Sequence, residues 1–285
     1  MNNKRYSRHR SRRRLAAIVY YVVLLAVSLL MLLPFFWMVS TSLKDRAKIF
    51  VFPPEWFPWP PTFENYREVF ERQPFHLYYF NSLYIAILVT AGTCLFAALA
   101  GYAFAKLNFP WKSALFLLLL SSMMIPTEAT SIPMFVWMSD LKLVNTHFPL
   151  IVPPMMGATG MFGVFLLRQF FITVPQDLDD AAKIDGCSPW LAFWRIMLPL
   201  AVPSLAALSI FTFLHSYNEF FEPLIYLNSS KLYTLPLALS LFTDESGTEW
   251  HLLMAASVMA TLPLLLVFFA AQKRFMEGIA LTGLK

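Results

Sequence analysis

Five stretches of the chain carry no charged side chain: Leu15–Leu43, Gln73–Ala105, Leu143–Leu167, Ile196–Asn218 and Trp250–Gln272. Each is longer than the roughly 20 apolar residues that take a helix across a bilayer core. A sixth uncharged stretch, Ser113–Thr127, is shorter and stops at Pro126-Thr127-Glu128. Flanking Trp111 and Lys112 extend it by anchoring and snorkelling at the interface. The pattern predicts an all-α integral membrane protein with six transmembrane helices, over about 15–40, 78–105, 111–127, 144–167, 196–218 and 250–272.

Composition agrees with that pattern. Of 285 residues, 58% are hydrophobic and 14% charged, against about 45–50% and about 25% in soluble domains. A soluble core of this size could not hide the excess, and a disordered chain shows the opposite balance. Twenty prolines against nine glycines point to long helices bent or punctuated by proline.

The net charge of +5 is concentrated. Lys4, Arg5, Arg8, Arg10, Arg12, Arg13 and Arg14 all precede Leu15. Because this basic tail (1–14) abuts an apolar run, it reads as a topogenic signal rather than a nucleic-acid arm, and no nucleic-acid partner is expected. The long uncharged run and the lack of a small-x-small cleavage site suit a retained signal anchor. With six spans and the tail inside, fifteen of the 22 lysines and arginines fall on the inner side and seven on the outer. With five spans the sides carry eleven each, so the positive-inside rule favours six, with the N- and C-termini both cytoplasmic. Cys94 and Cys187 suggest neither a disulfide framework nor a metal site.

Two loops stand out. Residues 44–77 form an outer loop rich in proline and aromatics, among them Pro53-Pro54, Trp56, Trp59 and Pro60-Pro61, suited to a membrane-interface belt. The single large inner loop, 168–195, reads VPQDLDDAAKIDGCSPW from Val174. Pro175 followed by Asp177, Asp179 and Asp180 is helix-start chemistry, because acids complement the N-terminal dipole. Gly186 can supply a turn that side chains resist, and a second helical run begins near Pro189. The result is helix, glycine turn, helix at the cytoplasmic face, with the small Ala181 and Ala182 allowing another backbone to approach.

The spacing Asp180-Ala181-Ala182, Gly186, Ile196, Leu198-Pro199 resembles the EAA loop of ABC-importer permease subunits, with Asp180 in place of the usual Glu and Cys187 in place of a common Ala. Further stretches resemble the carbohydrate branch of that family, close to the smaller maltose-permease subunit. These are Thr62-Phe63-Glu64-Asn65-Tyr66, Phe80-Asn81-Ser82-Leu83, Gly101-Tyr102-Ala103-Phe104-Ala105-Lys106-Leu107, Pro126-Thr127-Glu128 before Ile132-Pro133, Asn145-Thr146, Tyr217-Asn218-Glu219-Phe220 and the C-terminal Gln272-Lys273-Arg274-Phe275 with Gly278 and Gly283-Leu284-Lys285. The resemblance covers 15–285 and implies a type I ABC-importer permease fold in a bacterial or archaeal cytoplasmic (inner) membrane. It implies a carbohydrate cargo (sugar, oligosaccharide or polyol) and a second permease subunit forming a heterodimer with this one. Two ABC ATPase subunits and an extracytoplasmic solute-binding protein would complete the importer. Loop 174–195 would be the coupling loop, with Asp180, Ala181, Ala182, Asp185 and Gly186 meeting an ATPase. The sequence holds no G-x-x-x-x-G-K-[ST] phosphate loop. ATP and Mg²⁺ are therefore expected on the partner ATPase, with no cofactor, metal or catalytic residue in this chain.

Two other classes of protein share parts of this pattern. An intramembrane transferase could use Asp177, Asp179, Asp180 and Asp185 to hold Mg²⁺ and a diphosphate, but Asp179 and Asp180 point apart on a helix. A receptor or structural membrane protein leaves the inner-loop pattern unexplained. For a substrate pathway the candidates are His215, Tyr217, Asn218 and Glu219, with Glu128 nearby, since ionisable groups in membranes face protein or water. Glu128 and Glu219 also suit the hydrated outer interface. Phe211, Phe213 and Tyr217 could stack on a sugar ring.

Overall fold

In the computed structural model the chain is described over residues 3–244 and 247–283; the side chains of the first 15 residues, of Asp244, of Ala271 and of 273–283 lie outside the description. The cations of the basic tail and the C-terminal motif from Lys273 onward are therefore outside the described residues. The elements are α1 (Asn3–Ser42), α2 (Glu64–Arg72), α3 (Phe75–Lys106), α4 (Lys112–Ser122), α5 (Thr127–Asp140), α6 (Phe148–Met156), α7 (Ala158–Thr173), α8 (Gln176–Ile184), α9 (Pro189–Ala192), α10 (Leu198–Leu200), α11 (Val202–Tyr217), α12 (Phe221–Tyr226), α13 (Leu235–Leu239) and α14 (Trp250–Gly283). Among the described residues the only strands are the antiparallel pair Thr243–Asp244 and Gly247–Thr248.

Four helices are long and apolar enough to cross a membrane: Ala16–Ser42, Phe75–Lys106, Phe148–Thr173 and Trp250–Ala270. Two bent pairs bring the number to six if each is counted as one span. These are α4 with α5, bent by 96°, and Pro189–Leu200 with α11, bent by 75°. The sequence suggested one straight span over 111–127. Instead α4 ends at Ser122 and α5 starts after Pro126, which caps it in extended conformation. Eleven residues of α4 reach only about 16 Å, half of the ~30 Å hydrocarbon core.

The chain divides into two units. The first runs to Arg72 and includes Phe242–Met259. The described side chains of α1 are exposed as far as Phe36, as in a helix that meets lipid or another chain. Beyond α1 the loop that follows is tied down by the Asn65 side chain, which donates to the carbonyls of Ser42 (2.8 Å) and Lys44 (2.9 Å). Tyr66 shares a hydrogen bond with Ser42, and Arg72 donates to Glu249 at 2.6 Å.

The second unit spans Gln73–Leu241 and resumes at Ala260. α3 runs through it, packing along α7 and against α6 and α11. Without a strong hydrophobic drive in lipid, membrane helices associate through close backbone packing at small residues. Here a Cβ on Gly101 would sit 2.9 Å from Leu167 Cβ and 3.0 Å from the Arg168 nitrogen, and one on Gly163 would sit 2.8 Å from Ala97 Cβ. One half of the core gathers Ala97, Tyr102, Leu167, Phe171, Phe193 and Leu208. The other half gathers Ile85, Val89, Met138, Leu150, Tyr226 and Leu237. Near this second half Asn81 donates to the carbonyls of Lys231 and Tyr233, and Ser82 accepts from the Leu235 amide. Asn145, in the left-handed region at φ 59°, accepts from the amides of Asn228 and Ser229.

Candidate functional site

The inner loop folds as its local chemistry dictates. Pro175 precedes α8, Asp177 and Asp179 occupy its first turn, and Lys183 its last. The helix stops in a Schellman turn. Cys187 N donates to Ala182 O (2.8 Å) and Gly186 N to Lys183 O (3.0 Å), with Gly186 at φ +76°. Ser188 then caps α9 by accepting from Leu191 N, and a π-type turn, Phe193–Met197, carries the chain into α10.

The two faces of α8 do different work. Asp179 (8% exposed) and Ala182 (4%) turn into their own subunit. Asp180, Ala181, Asp185 and Gly186 are exposed, with no atom within 4 Å of a Cβ built on Gly186. Of the five residues expected to meet an ATPase, the structure thus presents four outward, while Ala182 seats the helix. Lys183 donates to Asp180 at 2.9 Å, and this partner holds the Asp180 carboxyl below the usual carboxylate range. Sequence reasoning missed Ile184 (86% exposed) and Trp190 (61%), which set apolar surface beside the acidic one. It also missed Asp179 as the anchor, although Asp179 and Ala182 at i, i+3 form a readable inward stripe. The four aspartates do not converge: Asp179 pairs with Lys106, Asp180 with Lys183, and Asp177 and Asp185 stand exposed. Among the described residues no group of three His, Cys, Asp or Glu could hold a metal ion.

The last turns of α3 clasp this loop. Lys106 Nζ donates to Val174 O at 2.8 Å and lies 2.7 Å from Asp179 Oδ2. One turn earlier on the same face, Tyr102 donates to Pro189 O at 3.3 Å and packs on Phe171 and Phe193. The start of the loop, its helix and its far end are all held by one helix.

A cavity of about 450 Å³ lies among α3, α5, α6, α11 and α12. Three interruptions of the helices converge on it: around Ile125, at Gly157, and at Glu219 between α11 and α12. Its wall includes Glu128, His215, Glu219 and Glu222. Glu219 Oε1 accepts from the amides of Phe221 and Glu222, and Glu219 Oε2 lies 3.7 Å from His215 Nδ1. Burial, with Glu219 beside it, pushes the Glu222 carboxyl up to about 7. His215 and Glu219 thus both line this cavity, and Glu128 joins them. Tyr217 and Asn218 are absent from the cavity wall. Tyr217 is buried, stacked on Phe213 and donating to Ala260 O at 3.0 Å, while Asn218 donates back to Leu214 O. Glu222 was missed because the sequence shows it only as an acid beyond the end of a span.

Packed apolar helices long enough to span a bilayer define a multi-pass membrane protein. Residues 94–280 match the family of binding-protein-dependent transport system inner membrane components, and the chain belongs to that family. It is 34% identical over 254 residues to the sulfoquinovosyl glycerol transport system permease protein SmoH of Agrobacterium fabrum, covering 89% of each chain. It is 36% identical over 247 residues to the arabinooligosaccharides transport system permease protein AraQ of Halalkalibacterium halodurans, covering 86% of each. Its fold resembles a chain of a bacterial ABC transporter that imports the acidic polysaccharide alginate, with a TM-score of 0.80 at 22% identity, covering 92% of this chain and 97% of that one.

Proposed function

We propose that this chain is one of two permease subunits of an ATP-driven importer that moves a carbohydrate into the cytoplasm of a bacterium or archaeon. In this reading it spans the membrane six times with both ends inside. α8 seats in a cleft of one of two separate ATPase subunits, which bind ATP and Mg²⁺. A second permease subunit completes the pathway, and an extracytoplasmic binding protein delivers the cargo. Arabinooligosaccharides, sulfoquinovosyl glycerol and alginate, the compounds in the relatives' names, share carbohydrate chemistry and differ in charge.

The observation that carries the coupling is the construction of loop 174–195. A short helix exposes Asp180, Ala181, Ile184 and Asp185 while Asp179 anchors it through Lys106 to a transmembrane helix. A rigid-body transition needs such a packed, two-sided contact. Closure of the ATPases on ATP pushes α8, and α3 passes the shift to the cavity. The test is co-expression with a candidate ABC ATPase and a candidate second permease. The wild-type chain copurifies with the ATPase and supports sugar uptake, whereas Ile184→Asp loses both yet still inserts. Full ATPase capture and uptake by Ile184→Asp would sink the docking assignment.

A further inference from the structure

The cavity is lined by three carboxylates, Glu128, Glu219 and Glu222, and by no lysine or arginine among the described residues. Its one basic side chain, His215, faces the chain's own Glu219. The helix starts that could attract an anion already carry acids. Glu219 accepts from the first amides of α12, and Glu128 occupies the first turn of α5. A second, independent feature points to a hydroxylated ligand. The Thr212 and Thr234 side chains line the same cavity, are 1% and 5% exposed, and their hydroxyls have no hydrogen-bond partner. A buried hydroxyl left unpaired is costly and finds its complement in another hydroxyl.

We propose that this cavity selects cargo by charge, accepting the hydroxyl face of a neutral sugar or polyol and rejecting anionic sugars such as uronates and sugar phosphates. The inference rests on reading the cavity as part of the translocation pathway. A carboxylate cargo would meet Glu219 and Glu222 in a site where water screens poorly and like charges repel most. A neutral sugar can donate its hydroxyls to the same carboxylates as charge-assisted hydrogen bonds.

The experiment compares methyl glucoside with methyl glucuronide, which differ only in the oxidation of C6. Their binding to the complete importer in nanodiscs, without binding protein, is measured at pH 7.5 by saturation-transfer NMR titration. The glucuronide is expected to bind at least tenfold more weakly than the glucoside. The Glu219→Gln/Glu222→Gln double variant keeps the capping oxygen of Glu219, and in it the gap closes to less than threefold. Equal affinities in the wild type, an unchanged gap in the double variant, or binding of neither probe would each overturn the proposal. The Glu222→Gln single variant, which spares the cap entirely, must narrow the gap partway if the double variant assembles poorly. Uptake of labelled sugar with the binding protein present separates the two readings. Uptake without charge discrimination defeats this inference alone, whereas no uptake of any sugar defeats the carbohydrate reading beneath it.

Discussion

Lys106 Nζ, on the final residue of α3, lies 2.7 Å from Asp179 Oδ2 on α8, and both side chains are less than a tenth exposed. The contact is an ion pair without an aligned hydrogen bond, and the lysine is held from a second direction by Val174 O. Removing one member of a buried pair strands the other, at a cost of about 3–5 kcal/mol. Lys106→Met should therefore lower the melting temperature of the purified subunit and weaken the coupling of ATP hydrolysis to uptake. The swap Lys106→Glu with Asp179→Lys restores part of both. A Lys106→Met importer with normal stability and normal sugar moved per ATP would show that the pair carries neither.

Gly186 holds φ +76° with open space around it, so the backbone rather than crowding within the subunit restricts this position. Left-handed conformation costs an ordinary residue about 1–2 kcal/mol, and asparagine visits it most readily. Gly186→Asn should retain most uptake. Gly186→Asp adds charge at the exposed turn and Gly186→Val adds bulk that resists the turn; both should insert normally yet transport poorly. Rates of uptake at equal membrane levels of each variant decide this, and normal transport by Gly186→Asp refutes a docking role for the turn.

Gly101 marks one of the tight approaches of α3 to α7. A Cβ there meets the Leu167 side chain and the Arg168 backbone at 2.9–3.0 Å, and neither is the free end of a flexible chain. Overpacking of this kind costs about 1–3 kcal/mol. Gly101→Ala should reduce thermal stability in detergent and Gly101→Leu should prevent recovery of folded subunit. Gly92→Ala, which meets only the flexible end of Met155, should be far milder.

The raised Glu222 carboxyl sets a pH dependence whose sign follows from linkage. Its folded value of about 7 lies above the unfolded value of 4.5, so the folded state holds the proton longer. Its contribution to stability is full below the unfolded value, declines as pH rises through the window between the two, and is flat above the folded value. Glu222→Gln should leave the melting temperature unchanged near pH 4 and raise it relative to wild type near pH 8. Parallel stability curves for the two proteins across that range would contradict the assignment.

The helix-turn-helix of the inner loop was legible because each part has local chemistry: proline and acids at the start, glycine at φ > 0, serine at the next cap. The asparagines in the motifs were readable as marks of a family, and their work is plain only in three dimensions. Asn65, Asn81 and Asn145 each tie down a loop distant in sequence. What resisted reading was the direction each side chain faces. Asp179 and Asp180 are neighbours separated by about 100° around a helix, so one is an anchor to α3 and the other is exposed and paired only within α8. Tyr217 sits beside His215 and Glu219 in sequence, yet its ring belongs to the core. The break between α4 and α5 was hidden because an apolar run and a proline together fit either a span end or a sharp turn.

No proline interrupts the 32 residues of α3, while α1, α5, α6 and α14 each contain one or more. At ~1.5 Å per residue α3 is a rod of about 48 Å. Its C-terminal end grips Val174, Asp179 and Pro189, and its N-terminal end holds the 231–235 segment that brings Thr234 to the cavity. A rod without a joint cannot absorb travel between its ends. In the coupling proposed here, the distance through which the ATPase drives α8 and the distance through which the cavity wall gives way become a single quantity. A joint inserted midway, such as a proline at Thr90, would let the motor complete its stroke while the cargo stays where it is.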